Sequence, residues 1–229
     1  MNNNFKTVNW TVLFSRTGQE IADICLALGV RPNRIITTVP TEKWSTSLYN
    51  IMMSENRDSY VIANIDKQNA KNVDTLKQVL GSSSNLITLH GWLYLIPDEI
   101  CNSNDYNIYN GHPGNILKYP ELKGKDPQLK AFQRKLHQGN GSIVHKVIPE
   151  VDSGKIVSEC YMEFSEDYSD GSQIDIELSA ASTYEYLRYT SLQAWLKFFY
   201  MNWNELCDES DKEYRLFNAL NEYKEQRAE

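Results

Sequence analysis

The first half of the chain alternates short apolar segments with segments of helical periodicity, and this alternation constrains the fold more than any other feature. Each apolar segment has the length and composition of a strand and lies between turn residues. Strands that alternate with helices form a mostly parallel sheet with helices on both faces, so we predict an α/β fold. The predicted strands are Trp10–Phe14, Arg34–Val39, Tyr60–Ala63, Leu86–His90 and Asp105–Tyr109, and the predicted helices are Gly18–Leu28, Trp44–Met53 and Val73–Leu80.

The pattern changes in the second half of the chain. Pro127–Gln138 is a predicted amphipathic helix with Asp126 as its N-cap. Two strand-like segments follow, Ile143–Ile148 and Lys155–Phe164, and the short turn between them predicts an antiparallel pair. The sheet is therefore expected to be mixed.

The remaining chain is predicted to be helical, chiefly over Leu178–Trp203, after a candidate hinge at residues 165–173. We expect one catalytic domain over residues 1–165 and a helical extension over 166–229 packed on the same domain. Aromatic side chains repeat at helical spacing between Tyr184 and Trp203. Packing in the core is the default interpretation of these side chains, and a homodimer interface is the alternative.

Composition excludes several classes of protein. The chain of 229 residues has a net charge of −7, which argues against broad binding to nucleic acid. No apolar run is long enough for a membrane span, and the polar N-terminus does not resemble a signal peptide. The four cysteines form no CxxC pair, so we expect reduced thiols, a cytoplasmic protein and no metal site.

Three functional groups lie at the ends of predicted strands. Asn110 and His112 follow the predicted strand Asp105–Tyr109, and Asp152 lies in the turn between the last two strands. Ligands of open α/β sheets bind beyond the carboxyl ends of the strands, so this position favours function. An amide, an imidazole and a carboxylate suffice to transfer a one-carbon acyl group to an amine. We expect Asp152 to lie near His112 and to raise the pKa of that histidine.

Two sequence blocks carry a resemblance to a known family. The stretch NGHPGNILKYPEL begins at Asn110, and GSIVHKVIPEVDSG begins at Gly141. Together they resemble the Asn-x-His-Pro and His-(x6)-Asp-x-Gly blocks of the folate-dependent formyltransferases. That family includes glycinamide ribonucleotide formyltransferase and the sugar-nucleotide N-formyltransferases. The resemblance covers about residues 10–165 and implies a Rossmann-like fold and an N-formyltransferase of one-carbon metabolism, with N10-formyltetrahydrofolate as formyl donor.

The resemblance also implies a role for each catalytic residue. Asn110 and a protonated His112 would hydrogen-bond to the oxyanion that forms when an amine attacks the formyl carbon. Asp152 would orient His112 and remove the amine proton through a bound water. His145 matches a family histidine and is expected to have a supporting role.

A loop after the fourth predicted strand resembles the family's pterin-binding loop. Apolar side chains would form the walls of the site, and backbone groups would bind the edge of the ring, assisted by the segment 147–151. The alternative is an aromatic-rich loop that only covers the end of the sheet. The residues expected to bind the formyl donor are Trp92, Leu93, Tyr94, Leu95, Val147, Ile148 and Val151.

Two further segments are candidates for the acceptor. The segment Ser15, Arg16, Thr17 and Gly18 lies where purine-pathway members of the family carry a phosphate-binding loop, but only Ser15 and Gly18 align with it. A helix N-terminus beside an arginine can still bind phosphate. Lys123 and Lys125 are the other candidates, with a solvated loop as the alternative interpretation.

The sequence leaves the acceptor open. A small-molecule amine, either glycinamide ribonucleotide of purine biosynthesis or an amino-sugar nucleotide, is expected, and tRNA is disfavoured by the acidic charge. A formyltetrahydrofolate deformylase, which uses the same three groups with water as acceptor, is one alternative function. A non-catalytic folate-binding protein is the other.

Overall fold

A computed structural model describes residues 5–53, 60–81, 86–134, 136, 140–162 and 176–202. The predicted hinge at 165–173 and the predicted domain boundary at residue 165 lie outside the described residues. No helix within the described ranges has both the length and the apolar character of a membrane span.

Seven strands form one mixed sheet in the order β3-β2-β1-β4-β5-β6-β7. Strand β1 pairs in parallel with β2 and β4, and β2 pairs in parallel with β3. Strand β6 pairs antiparallel with both β5 and β7. The predicted mixed α/β sheet is therefore confirmed. The strands are β1 (Lys6–Phe14), β2 (Val30–Thr37), β3 (Val61–Asn64), β4 (Leu86–His90), β5 (Asn107–His112), β6 (Asn140–Lys146) and β7 (Ile156–Met162).

Helices connect the strands of the first half, as predicted. Helix α1 lies between Gly18 and Gly29, which both have left-handed backbone conformations, and the Gly29 N–H bonds to the Cys25 carbonyl. Asn72 caps the N-terminus of helix α3, and its side chain accepts the Thr75 N–H. The helices are α1 (Gln19–Leu28), α2 (Thr46–Met53), α3 (Val73–Leu80), α4 (Asp98–Cys101), α5 (Pro127–Gln133) and α6 (Ile176–Asn202).

Two element boundaries differ from the sequence prediction in ways that matter for the site. Strand β5 extends to His112 instead of ending at Tyr109, because residues 109–112 pair with β6. Helix α5 ends at Gln133 instead of Gln138, and the Leu136 N–H closes its end by bonding to the Ala131 carbonyl. Asn110 and His112 are therefore strand residues, and not loop residues as predicted.

The chain divides into two compact units, which are described separately. Among the described residues, the first comprises those up to Ile108 together with 198–202, and the second comprises those from Tyr109 to Lys197. Consecutive residues Val12, Leu13 and Phe14 are fully buried in the first unit. Successive side chains of a strand point to opposite faces, so β1 is buried on both faces, as is typical of a central parallel strand.

The core of the second unit contains residues from β6, α5, α6 and the chain after β5. Its buried members are Ile116, Leu122, Ala131, Ile143 and Leu187. In this unit, α6 also places the fully buried Trp195 against Gly111 of β5. The described part of α6 thus packs in the core, which agrees with the default interpretation of its aromatic residues.

We predict that Gly111→Ala destabilises the protein. A Cβ at this position would lie 2.4 Å from Trp195 Nε1, which is far inside the van der Waals distance. Overpacking of this kind costs about 1–3 kcal/mol of unfolding free energy. Urea unfolding of Gly111→Ala, Trp195→Phe and the double variant measures this cost. The smaller ring should relieve the overlap, so the two effects should not add, and simple additivity would contradict the packing described here.

Candidate active site

Strands β5 and β6 place Asn110, His112 and His145 close together. Asn110 and His112 are two residues apart on β5, so their side chains share one face of the strand. Asn110 pairs with His145 of β6, and its Nδ2 lies 3.3 Å from His145 Nε2. Both histidines are almost fully buried, whereas Asn110 is half-buried. Asn110 is therefore the most exposed of the three residues.

Asp152 connects the two histidines. It lies in the turn between β6 and β7 and has a φ of 48°, in the left-handed region that aspartate tolerates better than most residues. Its Oδ2 lies 3.4 Å from His112 Nδ1, and its Oδ1 lies 3.4 Å from His145 Nε2. The structure thus brings together all three residues predicted to be catalytic, with His145 as a fourth member of the cluster.

Backbone groups of the Leu122–Gly124 segment complete this cluster. The Gly124 N–H donates to Asp152 Oδ2 over 2.7 Å, and His112 Nε2 lies 2.9 Å from the Leu122 carbonyl, which accepts its proton. The Leu122 side chain is fully buried in the core of the second unit and so anchors that carbonyl. Sequence analysis missed these two partners because backbone groups leave no side-chain signature.

The environment of His112 corrects one expectation. Burial lowers the pKa of His112, although Asp152 and the Leu122 carbonyl both act to raise it. Asp152 acts in the predicted direction, but loss of solvation has the larger effect. The imidazole is therefore neutral at neutral pH, with its proton on Nε2 and the lone pair of Nδ1 towards Asp152. In this arrangement both ring nitrogens face groups of the protein itself.

Asp152 is ionised at neutral pH, because its pKa is lowered. Burial alone would raise its pKa, but His145, His112 and the Gly124 N–H stabilise the negative charge and lower the pKa to about 2. A carboxylate with several donors commonly has such a low pKa. At neutral pH the pair consists of an ionised Asp152 beside a neutral His112.

His145 links the amide to the carboxylate. Its Nδ1 lies 3.0 Å from the Lys146 carbonyl and must carry a proton to donate there. A neutral His145 accepts from Asn110 through Nε2, and a protonated His145 donates to Asp152 instead. In the neutral state the second N–H of the Asn110 amide remains available for a ligand oxygen.

The predicted acceptor segment Ser15–Gly18 lies in the first unit. The Ser15 hydroxyl is buried with no hydrogen-bond partner among the described residues, while Arg16 and Thr17 are exposed. Gly18 has a φ of 70° and directly precedes α1. The side chain of Arg16 lies close to Gly91, at 3.5 Å from the place of a Cβ there.

The residues predicted to bind the formyl donor divide between the two units. In the first unit, Trp92 is mostly buried and packs edge-to-face against Tyr94, with 5.2 Å between ring centroids. Leu93 and Leu95 are more than half exposed, so they can contact a ligand. The Trp92 indole N–H is buried with no partner among the described residues. In the second unit Val147 and Ile148 are half-buried and Val151 is about half exposed.

The two candidate lysines of the second unit differ in their surroundings. Lys123 Nζ donates to the Ser153 hydroxyl over 3.0 Å, next to Asp152, and the Lys123 carbonyl accepts from Lys130 Nζ. Lys125 is exposed. Within the described residues, no group of three histidine, cysteine, aspartate or glutamate side chains has the arrangement of a metal site.

One curated relative has detectable sequence similarity. The chain is 31% identical over 81 residues to a phosphoribosylglycinamide formyltransferase of Dictyostelium discoideum, and the match covers 33% of this chain. It covers 39% of the relative, so the chain spans about two fifths of that protein's length. No family model matches the chain.

Solved structures share the fold at low sequence identity. A phosphoribosylglycinamide formyltransferase of Campylobacter jejuni superposes with a TM-score of 0.57 at 17% identity, covering 86% of this chain and 100% of that one. The enzyme of the same name from Bacillus halodurans also gives 0.57, at 15% identity, with 89% and 100% covered. A formyltetrahydrofolate deformylase of Pseudomonas syringae gives 0.59 at 14% identity, with 86% and 61% covered. The sequence relative and the shared fold together confirm the resemblance of this chain to the folate-dependent formyltransferases.

Proposed function

We propose that the protein transfers a formyl group from N10-formyltetrahydrofolate to the primary amine of a small phosphorylated or nucleotide-linked acceptor. The observation that carries this proposal is the buried cluster of His112, Asp152 and His145 beside the partly buried side chain of Asn110. The cluster combines an oxyanion donor with groups that accept a proton, which are the requirements of acyl transfer to an amine.

The amide and the carboxylate have separate tasks in this mechanism. An N–H of Asn110 donates to the oxygen that becomes negative when the amine attacks. The amine proton moves towards the Asp152–His112 pair. Because Asp152 has a low pKa, the neutral Nδ1 of His112 is the better final acceptor. The resulting imidazolium would be stabilised by Asp152 on one side and by the Leu122 carbonyl on the other. It would return the proton to N10 of the donor as the bond between N10 and the formyl carbon breaks, which releases tetrahydrofolate and the formylated amine.

The first unit offers groups that suit the formyl donor. Exposed Leu93 and Leu95 provide apolar surface for a flat ring, and the buried Trp92 N–H, which has no partner among the described residues, provides a donor. Bound there, the donor supplies an activated one-carbon group. Trp92, Leu93 and Leu95 would hold the ring and shield its faces from water.

Glycinamide ribonucleotide is the acceptor that we favour. The named function of the Dictyostelium relative supports it, as do the formyltransferases among the solved structures. The segment Ser15–Gly18 differs from the phosphate-binding loop of the purine-pathway members of the family. An amino-sugar nucleotide is therefore the alternative acceptor. A second candidate function is hydrolysis of the formyl donor, which the fold shared with the deformylase of Pseudomonas syringae supports.

An acceptor assay tests the proposal. The purified protein is incubated with N10-formyltetrahydrofolate alone, with glycinamide ribonucleotide, or with an amino-sugar nucleotide, and tetrahydrofolate release is followed. We expect release only with glycinamide ribonucleotide. Release without any acceptor would identify a hydrolase, and no release in any mixture would refute the catalytic proposal.

We predict that Asn110→Ala lowers turnover about a hundredfold to a thousandfold, because loss of one oxyanion donor has that effect in acyl transfer. Asn107→Ala is the matched control, since Asn107 lies on the same strand but is exposed. Turnover of both variants is measured at saturating substrate. Near-normal turnover of Asn110→Ala would show that the amide does not stabilise the oxyanion.

We predict that acid destabilises the protein in two pH windows. The pKa of His112 is lower in the folded state, so the unfolded state takes up that proton first as the pH falls below about 6.5. The Asp152 pKa is lowered to about 2, so its stabilising effect is complete above about pH 4 and is lost as the pH falls towards 2. Urea unfolding from pH 7.5 to the acid limit measures both windows.

Two substitutions separate these contributions. His112→Gln should remove the loss of stability that begins near pH 6.5, whereas Asp152→Asn should remove the loss below pH 4. A wild-type stability that rises on acidification from pH 7 to 5 would contradict the burial of a neutral His112.

A further inference from the structure

A continuous chain of hydrogen bonds crosses the first unit. Trp10 Nε1 donates to the Thr88 hydroxyl over 2.7 Å, and that hydroxyl lies 2.8 Å from His90 Nε2. His90 Nδ1 lies 2.6 Å from the Glu20 carboxylate. Trp10, Thr88 and His90 are buried, and the Glu20 side chain is one quarter exposed. This series of hydrogen bonds thus runs from the core to the surface and ends at the Glu20 carboxylate.

The chemistry of the indole sets the direction of these bonds. An indole N–H can only donate, so it occupies an acceptor site of Thr88. The same hydroxyl lies beside His90 Nε2, and because a carboxylate can only accept, His90 Nδ1–H donates to Glu20. Every polar atom between the indole and the carboxylate is satisfied in this arrangement, which therefore selects one orientation of the His90 ring.

The outermost of these hydrogen bonds, between His90 and Glu20, lies next to two segments with proposed functions. Glu20 is in the first turn of α1, directly after the acceptor segment Ser15–Gly18. His90 is the last residue of β4, directly before Gly91 and the donor loop Trp92–Leu95. The side chain of Arg16 also lies close to Gly91. The Glu20–His90 hydrogen bond therefore joins the helix that follows the acceptor segment to the residue that precedes Gly91, and the Arg16 side chain lies close by.

We propose that Glu20 and His90 are positioning residues that hold the acceptor segment and the donor loop in their binding conformations. This inference rests on the proposed function for the identity of the two substrates. Neither side chain needs to touch a substrate in this role. Loss of the contact should weaken binding of both substrates together, whereas a residue that touches only one substrate would affect that substrate alone.

Kinetics of two variants and a control test the role. Glu20→Ala removes the carboxylate, and His90→Phe keeps a ring without polar atoms. Asp23→Ala is the control, because Asp23 is a carboxylate on the same helix and accepts from the Gln19 side chain. We expect KM for N10-formyltetrahydrofolate and for glycinamide ribonucleotide each to rise about tenfold in the first two variants. Turnover should stay within about threefold of wild type, and Asp23→Ala should match wild type.

A measurement without substrates separates this inference from the proposed function. Hydrogen exchange is followed at the amides of residues 15–18 and 91–96 in wild type, Glu20→Ala and Asp23→Ala. We expect faster exchange in both segments of Glu20→Ala, with the amides of β5 and β6 unchanged. Unchanged exchange in both segments overturns the inference, whether or not the protein transfers formyl groups. Faster exchange with normal KM values for both substrates also overturns it, since the contact would then have no role in binding. If wild type shows no formyl transfer, the proposed function fails and the exchange result alone decides whether the contact holds the two segments.

Discussion

The carboxylate of Asp152 is the interaction on which the second unit's site depends. A buried negative charge is costly unless several donors surround it. Here the Gly124 N–H donates to Oδ2, and His112 and His145, from two other parts of the chain, lie 3.4 Å from Oδ2 and Oδ1 respectively. The requirement to solvate one charge therefore fixes the relative positions of β5, β6 and the segment after β5. The contacts that stabilise the buried carboxylate are therefore the same contacts that position the proposed catalytic side chains.

The same arrangement explains why His112 is neutral and still suited to proton transfer. A histidine exposed to water would be easily protonated beside a carboxylate, but burial removes the solvation of the imidazolium. The ring consequently keeps a free lone pair on the nitrogen that faces Asp152. The Leu122 carbonyl already accepts the Nε2 proton of the neutral ring, and the Asp152 carboxylate becomes stabilising when a second proton arrives at Nδ1. Burial thus keeps the ring neutral before the reaction, and the Asp152 carboxylate offsets part of the cost of the positive charge during it.

Local sequence patterns predicted much of the fold and the membership of the cluster. The alternation of strands and helices is encoded by neighbouring residues, and the blocks at Asn110 and Asp152 carried the family resemblance. Properties that depend on long-range packing were not predictable. The extension of β5 to His112 depends on pairing with β6, and the sign of the His112 pKa shift depends on burial depth. The contacts of Leu122 and Gly124 use backbone atoms, and the Glu20–His90 contact joins residues far apart in the chain.

The left-handed backbone of Asp152 has a consequence for the interpretation of substitutions there. Asparagine tolerates this conformation and has nearly the same shape, so it changes the charge and leaves the turn intact. Alanine or a β-branched residue would also strain the turn, and an inactive variant would then combine two defects. The effect of a substitution at Asp152 therefore combines a change in backbone strain with a change in charge. An aspartate–asparagine exchange separates the two.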